Sequence, residues 1–168
     1  MNKRIKDILE YAIIIIAVIL FRTFLYSPIR VSGASMVPTL NNGDIMILDK
    51  IGYRTKGLDR FDIVVIKYEK EKIIKRVIGL PGDYIQYEND KLYVNGEYVD
   101  EPFDRKEMDD FTLEDLGENI IPEGKYLVLG DNRPVSKDSR IIGLVDKKDI
   151  EGYTSIIIFP FKRIKIVN

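Results

Sequence analysis

The sequence predicts a mainly β protein, with one N-terminal transmembrane helix ahead of a single, mostly antiparallel β domain. Three observations predict it. The one long apolar run, Tyr11–Phe21, lies near the N-terminus. After Pro28 the chain breaks into short Ile- and Val-rich segments separated by Gly, Pro and Asn. Asn95-Gly96 then joins two alternating stretches, 92–94 and 97–99, and supplies the two positive-φ residues of a type I′ hairpin turn.

At 168 residues the chain is long enough for one domain with a sizeable core. A net charge of −1 leaves no electrostatic footprint for nucleic acid. Absent residue types narrow the chemistry further. With no Cys, disulfides, thiol catalysis and thiolate metal sites are excluded, and with no His so are the Ser-His-Asp triad and imidazole metal sites. A hydroxyl nucleophile here must take Lys, Asp, Glu or an N-terminal amine as its base.

In order along the chain, residues 1–7 carry Lys3, Arg4 and Lys6 and are expected to form a cytoplasmic tail. The apolar run alone has 11 residues; widened to 8–26 it has 19. At 1.5 Å per residue that is roughly 28 Å, enough to cross a bilayer core as a transmembrane helix. Arg22 would snorkel to the far interface, with Phe21, Phe24 and Tyr26 as an aromatic anchor. Residues 27–168 would then form the domain outside. Ser32-Gly33-Ala34 also fits a small-residue cleavage site of a removed leader. Arg22 and Arg30, lying between the apolar core and that cut, count against it.

Strands are expected at Ile29–Val31, Asp44–Asp49, Phe61–Tyr68, Ile73–Ile78, Lys125–Leu129 and Thr154–Phe159. Asn42-Gly43 marks a turn. Asp100–Glu118 has nine acidic residues against Arg105 and Lys106, and reads as a solvated loop or short helix. The run Ile156–Phe161 fits a core strand better than a lipid contact.

Three stretches carry chemistry. Ser35 stands between Gly33 and Pro38, which both restrict the backbone, and a serine so held can serve as a nucleophile. Strand alternation puts Lys75 on one face with Ile73 and Val77. A lysine at its reference pKa of about 10.4 is under roughly 0.1% neutral at pH 7, and burial among Ile and Val lowers that pKa. The plain alternative is an edge-strand lysine that snorkels to water. Between Gly130 and Gly143 lie Asp131, Asn132, Arg133, Ser136, Asp138, Ser139 and Arg140. This is either a solvated turn or a loop in which Ser136 orients the Lys75 amine and Asp138 pairs with Arg140.

Four motifs in succession resemble those of the type I signal peptidases, membrane-anchored serine proteases. They are Gly33-x-Ser35-Met36-x-Pro38-Thr39-Leu40, Gly43-Asp44, Lys75–Asp83 (KRVIGLPGD), and Gly130-Asp131-Asn132-Arg133-x-x-Ser136-x-Asp138-Ser139-Arg140. The resemblance covers nearly the whole chain and implies a barrel-like catalytic β domain. It implies Ser35 as nucleophile and Lys75 as general base. Ser136 would orient Lys75, with Asp138 and Arg140 in support, and Met36 would line the substrate channel. Some members place a Ser oxyanion donor two residues before the nucleophile; Gly33 stands there in this chain, as in the smaller Gram-positive-type members. The implied partners are secretory preproteins, cut after A-x-A-like sites, and the lipid bilayer. The resemblance implies a monomer without cofactor or metal. Two other readings are a self-cleaving repressor relative, which would carry a DNA-binding domain in place of the helix, and a tethered β domain that only binds.

Overall fold

The structure, a computed structural model, describes residues 3–167, with the side chains of residues 3 and 20–24 outside the described set. A helix, α1, runs Lys3–Phe24 and a strand, β1, follows at Tyr26–Arg30. The helix therefore begins inside the expected tail of residues 1–7 and ends two residues before the expected 26. Its early start follows from Lys, Arg, Ile and Asp in the first turns, all compatible with a helix. Its end follows from Pro28, which biases the preceding residue to extended backbone. Its large apolar side chains are exposed among the described residues: Ile8 and Tyr11 are each 68% exposed. Among the described residues no helix is long and apolar enough to cross a membrane. Phe21, Arg22 and Phe24, expected as the far-interface anchor, lie outside the described side chains, and Tyr26 belongs to β1.

The larger sheet comprises β1, β2 (Ile45–Asp49), β3 (Ile63–Tyr68), β4 (Glu71–Gly79), β9 (Lys125–Leu129), β10 (Val145–Asp146), β11 (Ile150–Phe159) and β12 (Lys165–Ile166). Its order is β1-β2-β11-β3-β4-β9-β10, with β12 added beside β11. Every pairing is antiparallel. β1 and β10 form its two edges, so the sheet stays open and does not close into the expected barrel. A second sheet has the order β7-β6-β5-β8, from β5 (Ile85–Glu88), β6 (Lys91–Val94), β7 (Glu97–Val99) and β8 (Phe111–Thr112). Asn95 and Gly96 both have positive φ, 53° and 84°, as the hairpin turn requires.

The hairpin of β3 and β4 lies at the centre of the larger sheet. Lys75 sits opposite Val64, and Tyr68 opposite Glu71. Ile63, Val65 and Ile74 join one core with Val31, Met36, Leu40 and Met46. Val64, Ile66 and Val77 join another, on Tyr126, Val128 and Ile150. A strand covered on both faces should be apolar throughout. In β4, Lys75 and Arg76 interrupt that rule at its centre.

The acidic segment is not the solvated loop its charge suggests. Met108, Phe111 and Leu113 are buried with Ile78, Ile85, Tyr87 and Leu127 in the core between the sheets. Its short 3₁₀ turn, Leu113–Leu116, packs by Leu113. β5 and β8 were not legible as strands because each is short and carries polar residues. The run Ile156–Phe161 splits: Ile157 is fully buried, whereas Phe161 is 79% exposed.

β11 threads between β2 and β3, and the approach is closest at Gly152. A Cβ there would lie 2.2 Å from the Asp49 carbonyl oxygen and 2.8 Å from Leu48 Cδ1. Gly152→Ala must push two strands apart, and is expected to destabilise the protein by about 1–3 kcal/mol. Urea denaturation midpoints of the two proteins measure it; an unchanged midpoint would contradict the packing.

Candidate active site

Lys75 is brought to Ser35 by the register of β4 and by the loop that follows β1. Its Nζ donates to Ser35 Oγ at 2.8 Å and to the Ile74 carbonyl at 3.1 Å. The lysine is 3% exposed, so it does not snorkel to water. Burial is the main cause that pushes its ammonium down from 10.5 to about 8, against the opposing charges of Asp138 and Asp131. Each of those carboxylates is held by an arginine. Arg76 Nε and Nη2 donate to the two Asp131 oxygens at 2.9 and 2.8 Å. Arg140 Nε and Nη2 donate to the two Asp138 oxygens, each at 2.9 Å.

The nucleophile loop is tied at several points. Val31 N–H donates to the Asp44 carbonyl, and Gly43 N–H to the Val31 carbonyl. Asp44, 2% exposed, accepts from Asn41 N–H at 2.9 Å. It also accepts the fork of Arg163, at 3.0 Å from Nε and 2.9 Å from Nη2. Gly33 N–H donates to Asn42 Oδ1 at 3.1 Å, so that amide is occupied. The Ser35 amide donates to no acceptor among the described residues. From the last motif, Asn132 N–H donates to the Ser35 carbonyl at 2.9 Å, and its Nδ2 to the Ala34 carbonyl at 3.0 Å.

Two expected residues stand differently. Met36 is 2% exposed and packs in the core with Leu40 and Met46, not on the groove. Alternation along the nucleophile loop could not show this, because the loop is not a strand. Ser136 is buried, but its Oγ has no hydrogen-bond partner among the described residues and makes no bond to Lys75. It lies against Gly130, where a Cβ would fall 2.2 Å from Ser136 Oγ and 2.4 Å from the Ser35 carbonyl oxygen. Asp138 and Arg140 pair as expected, and the Asp138 carboxylate also accepts from Gly130 N–H at 3.0 Å.

Sequence reasoning passed over Arg76, Asp131, Thr39 and Arg163. Arg76 and Asp131 are each fully buried, and Thr39 Oγ1 donates to Asp131 Oδ2. Arg76 also stacks on the Phe103 ring at 3.8 Å. A signal existed for Arg76: an arginine inside a two-face-buried strand demands a carboxylate partner. None existed for Arg163, 119 residues from Asp44.

A groove of about 550 Å³ opens onto the pair, walled by Gly33, Ser35, Ile73, Lys75, Val135 and Ile142. Lys137 Nζ lies 4.9 Å from the centre of the Tyr68 ring at the same groove. A hydroxyl beside a buried, partly neutral amine, in a groove lined by Ile73, Val135 and Ile142 and also by Glu69 and Glu71, can do acyl-transfer chemistry. Among the described residues no cluster of His, Cys, Asp or Glu could hold a metal ion.

Comparison with known proteins agrees along the chain. The family model for signal peptidase, peptidase S26, matches residues 4–159. The chain is 44% identical over 179 aligned residues to signal peptidase IB of Staphylococcus aureus, covering 95% of this chain and 94% of that protein. It is 41% identical over 175 to signal peptidase I S of Bacillus subtilis, covering 97% and 95%. A solved signal peptidase I from Enterococcus faecalis superposes with a TM-score of 0.54 at 38% identity, over 58% of this chain and 97% of that one.

Burial of Lys75 has a stability consequence. At about 1.4 kcal/mol per pH unit, a depression from 10.5 to about 8 costs the folded state about 3 kcal/mol at pH 7. Between pH 8 and 10.5 the unfolded chain holds a proton that the folded chain has lost, so stability rises with pH through that window. Lys75→Met is therefore expected to be the more stable protein at pH 7, with the gap closing above pH 10.5. Urea titrations of both proteins at pH 7 and at high pH would show it. Equal midpoints at pH 7 would mean the amine is not desolvated.

Proposed function

Because the chain belongs to the signal peptidase family, peptidase S26, we propose that it removes N-terminal signal peptides from exported preproteins by a Ser35/Lys75 dyad. The observation that carries this reading is the 2.8 Å bond between Lys75 Nζ and Ser35 Oγ in a buried site. The neutral Lys75 amine takes the Ser35 proton as Oγ attacks the scissile carbonyl. Burial makes this feasible. With a pKa of about 8 the amine is roughly a tenth neutral at pH 7, about 300-fold more than at 10.5.

Negative charge on the attacked oxygen is met by the Ser35 N–H, which has no other acceptor among the described residues. The tetrahedral adduct then collapses. The C–N bond breaks, the leaving amine takes the proton from Lys75, and an acyl-enzyme remains on Oγ. Lys75, neutral again, activates water to hydrolyse that ester. Ser136, a buried hydroxyl with no bond of its own, is available to the Lys75 amine when Oγ is committed to the acyl group. Asp138, Arg140 and Gly33 shape the loops on either side. The apolar walls from Ile73, Val135 and Ile142 suit small side chains before the cut, as an A-x-A-like site presents.

Ser35→Ala or Lys75→Ala is expected to lower preprotein cleavage by at least about 10³-fold, and the double variant to be no worse than either single one. In the wild type kcat/KM is expected to rise with pH through about 8, as Lys75 loses its proton. The test is cleavage of a purified preprotein by the detergent-solubilised full chain across pH. Full activity in either single variant would remove the dyad.

We read α1 as the membrane anchor, with the basic residues of its first turns, Lys3, Arg4 and Lys6, on the cytoplasmic side and residues 27–168 outside. Its 22 helical residues extend roughly 33 Å. Exposed Ile8, Ile13, Ile14, Ile15, Ile16 and Ile19 along it form an apolar surface of the kind that seeks lipid. Alkaline carbonate extraction is expected to leave the full chain in the membrane pellet and to release a variant lacking residues 1–25. Release of the full chain would refute the anchor.

A further inference from the structure

One carboxylate of the acidic segment, Glu101, is buried behind the loop of the last motif. The Glu101 side chain is 4% exposed and that of Arg133 is 1% exposed. Glu101 Oε1 accepts from Arg133 Nη2 at 2.6 Å and from Tyr87 Oη at 2.8 Å, while Oε2 accepts from Arg105 Nε. Arg133 continues the connection inward. Its Nε donates to the Gly130 carbonyl at 3.1 Å, and its own carbonyl accepts from Arg140 Nη2 at 2.6 Å. Arg140 holds Asp138, which accepts from Gly130 N–H. These bonds close residues 130–140 into a ring, and Glu101 ties it from outside through Arg133, as Arg76 and Thr39 do through Asp131.

Two more bonds join the same segment to both catalytic loops. Thr39 Oγ1 donates to the Asp104 carbonyl at 3.3 Å, and Lys106 N–H donates to the Asp131 carbonyl at 2.9 Å. Beside Asp131, Asn132 holds the Ser35 carbonyl at 2.9 Å. The path from Glu101 to the nucleophile thus runs through Arg133 and the 130–132 backbone.

We propose that Glu101 is a positioning residue of the peptidase reaction: through Arg133 it fixes the loop that holds the Ser35 carbonyl and carries Ser136. The proposal rests on the Ser35/Lys75 reading above. A directional pair differs from a merely stabilising one in a testable way. Apolar groups of similar volume can replace a buried ion pair without loss of stability. They cannot replace the aim that the pair gives to a loop.

The experiment uses the full chain in detergent and a purified preprotein. Glu101→Gln keeps the shape of the side chain and removes its charge. The triple variant Tyr87→Phe, Glu101→Leu, Arg133→Met removes the buried polar cluster together. Both are followed by thermal melts, by kcat and KM, and by the pH profile of kcat/KM. The expected result is a folded triple variant whose kcat falls roughly 10–100-fold, as a displacement near 1 Å would cause. Its KM should stay near the wild-type value, and its pH profile should move because Asp138 no longer stands fixed beside Lys75. Glu101→Gln should show the same change in kcat wherever it is folded. Wild-type kcat and pH profile in a folded variant overturn the proposal. So does unfolding of both variants, which would make the cluster a stability element alone. Ser35→Ala in the same assay separates the two readings: its inactivity upholds the dyad whatever Glu101 does.

Discussion

Everything at this site depends on two adjacent residues of β4 having opposite fates. Lys75 and Arg76 point to opposite faces of a strand that is buried on both. Arg76 is fully buried and must therefore be fully paired, and Asp131 pairs it. Lys75 has no carboxylate against its amine; one there would hold the proton on. The fold gives the two carboxylates that act on the Lys75 amine to arginines: Asp131 to Arg76, Asp138 to Arg140. The amine is left with a hydroxyl and a carbonyl.

Arginine suits this task better than lysine would. Its planar fork engages both carboxylate oxygens at once and stays charged at any pH the protein meets. The same device recurs away from the dyad. Arg163 forks onto Asp44, and its Nη2 reaches the Thr39 carbonyl at 3.4 Å. The segment after β11 thereby pins the loop that carries Ser35. Arg133 and Glu101 form a further buried pair behind the last motif, through the single bond from Nη2 to Oε1. Breaking one member of such a buried pair costs about 3–5 kcal/mol, because the other is left charged and unpaired.

The stability given up at the site is also visible. Lys75 is desolvated, while Ser136 Oγ and Arg133 Nη1 are buried without partners. A buried unpaired donor costs about 1–3 kcal/mol. The three cores on the two faces of the large sheet and between the sheets carry that load. The acidic segment contributes to it through Met108, Phe111 and Leu113. The segment thus has an apolar inner side that packs and a charged outer side that is solvated.

The sequence by itself singled out Ser35 and Lys75 through motifs that resemble those of the signal peptidases. It determined the β domain, the Asn95-Gly96 turn and the apolar N-terminal helix from local pattern: alternation, a turn dipeptide and a hydrophobic run. Asp138 with Arg140 was legible for the same reason, being two residues apart in one loop. Tertiary structure alone decided where the charges go. Asp131 to Arg76, Asp44 to Arg163 and Glu101 to Arg133 join residues 55, 119 and 32 positions apart, and no periodicity carries that information. It also decided that Met36 faces the core, that Ser136 does not bond Lys75, and that the acidic stretch is half buried. In each case the outcome depends on which neighbour fills the space or accepts the proton, and that neighbour comes from elsewhere in the chain.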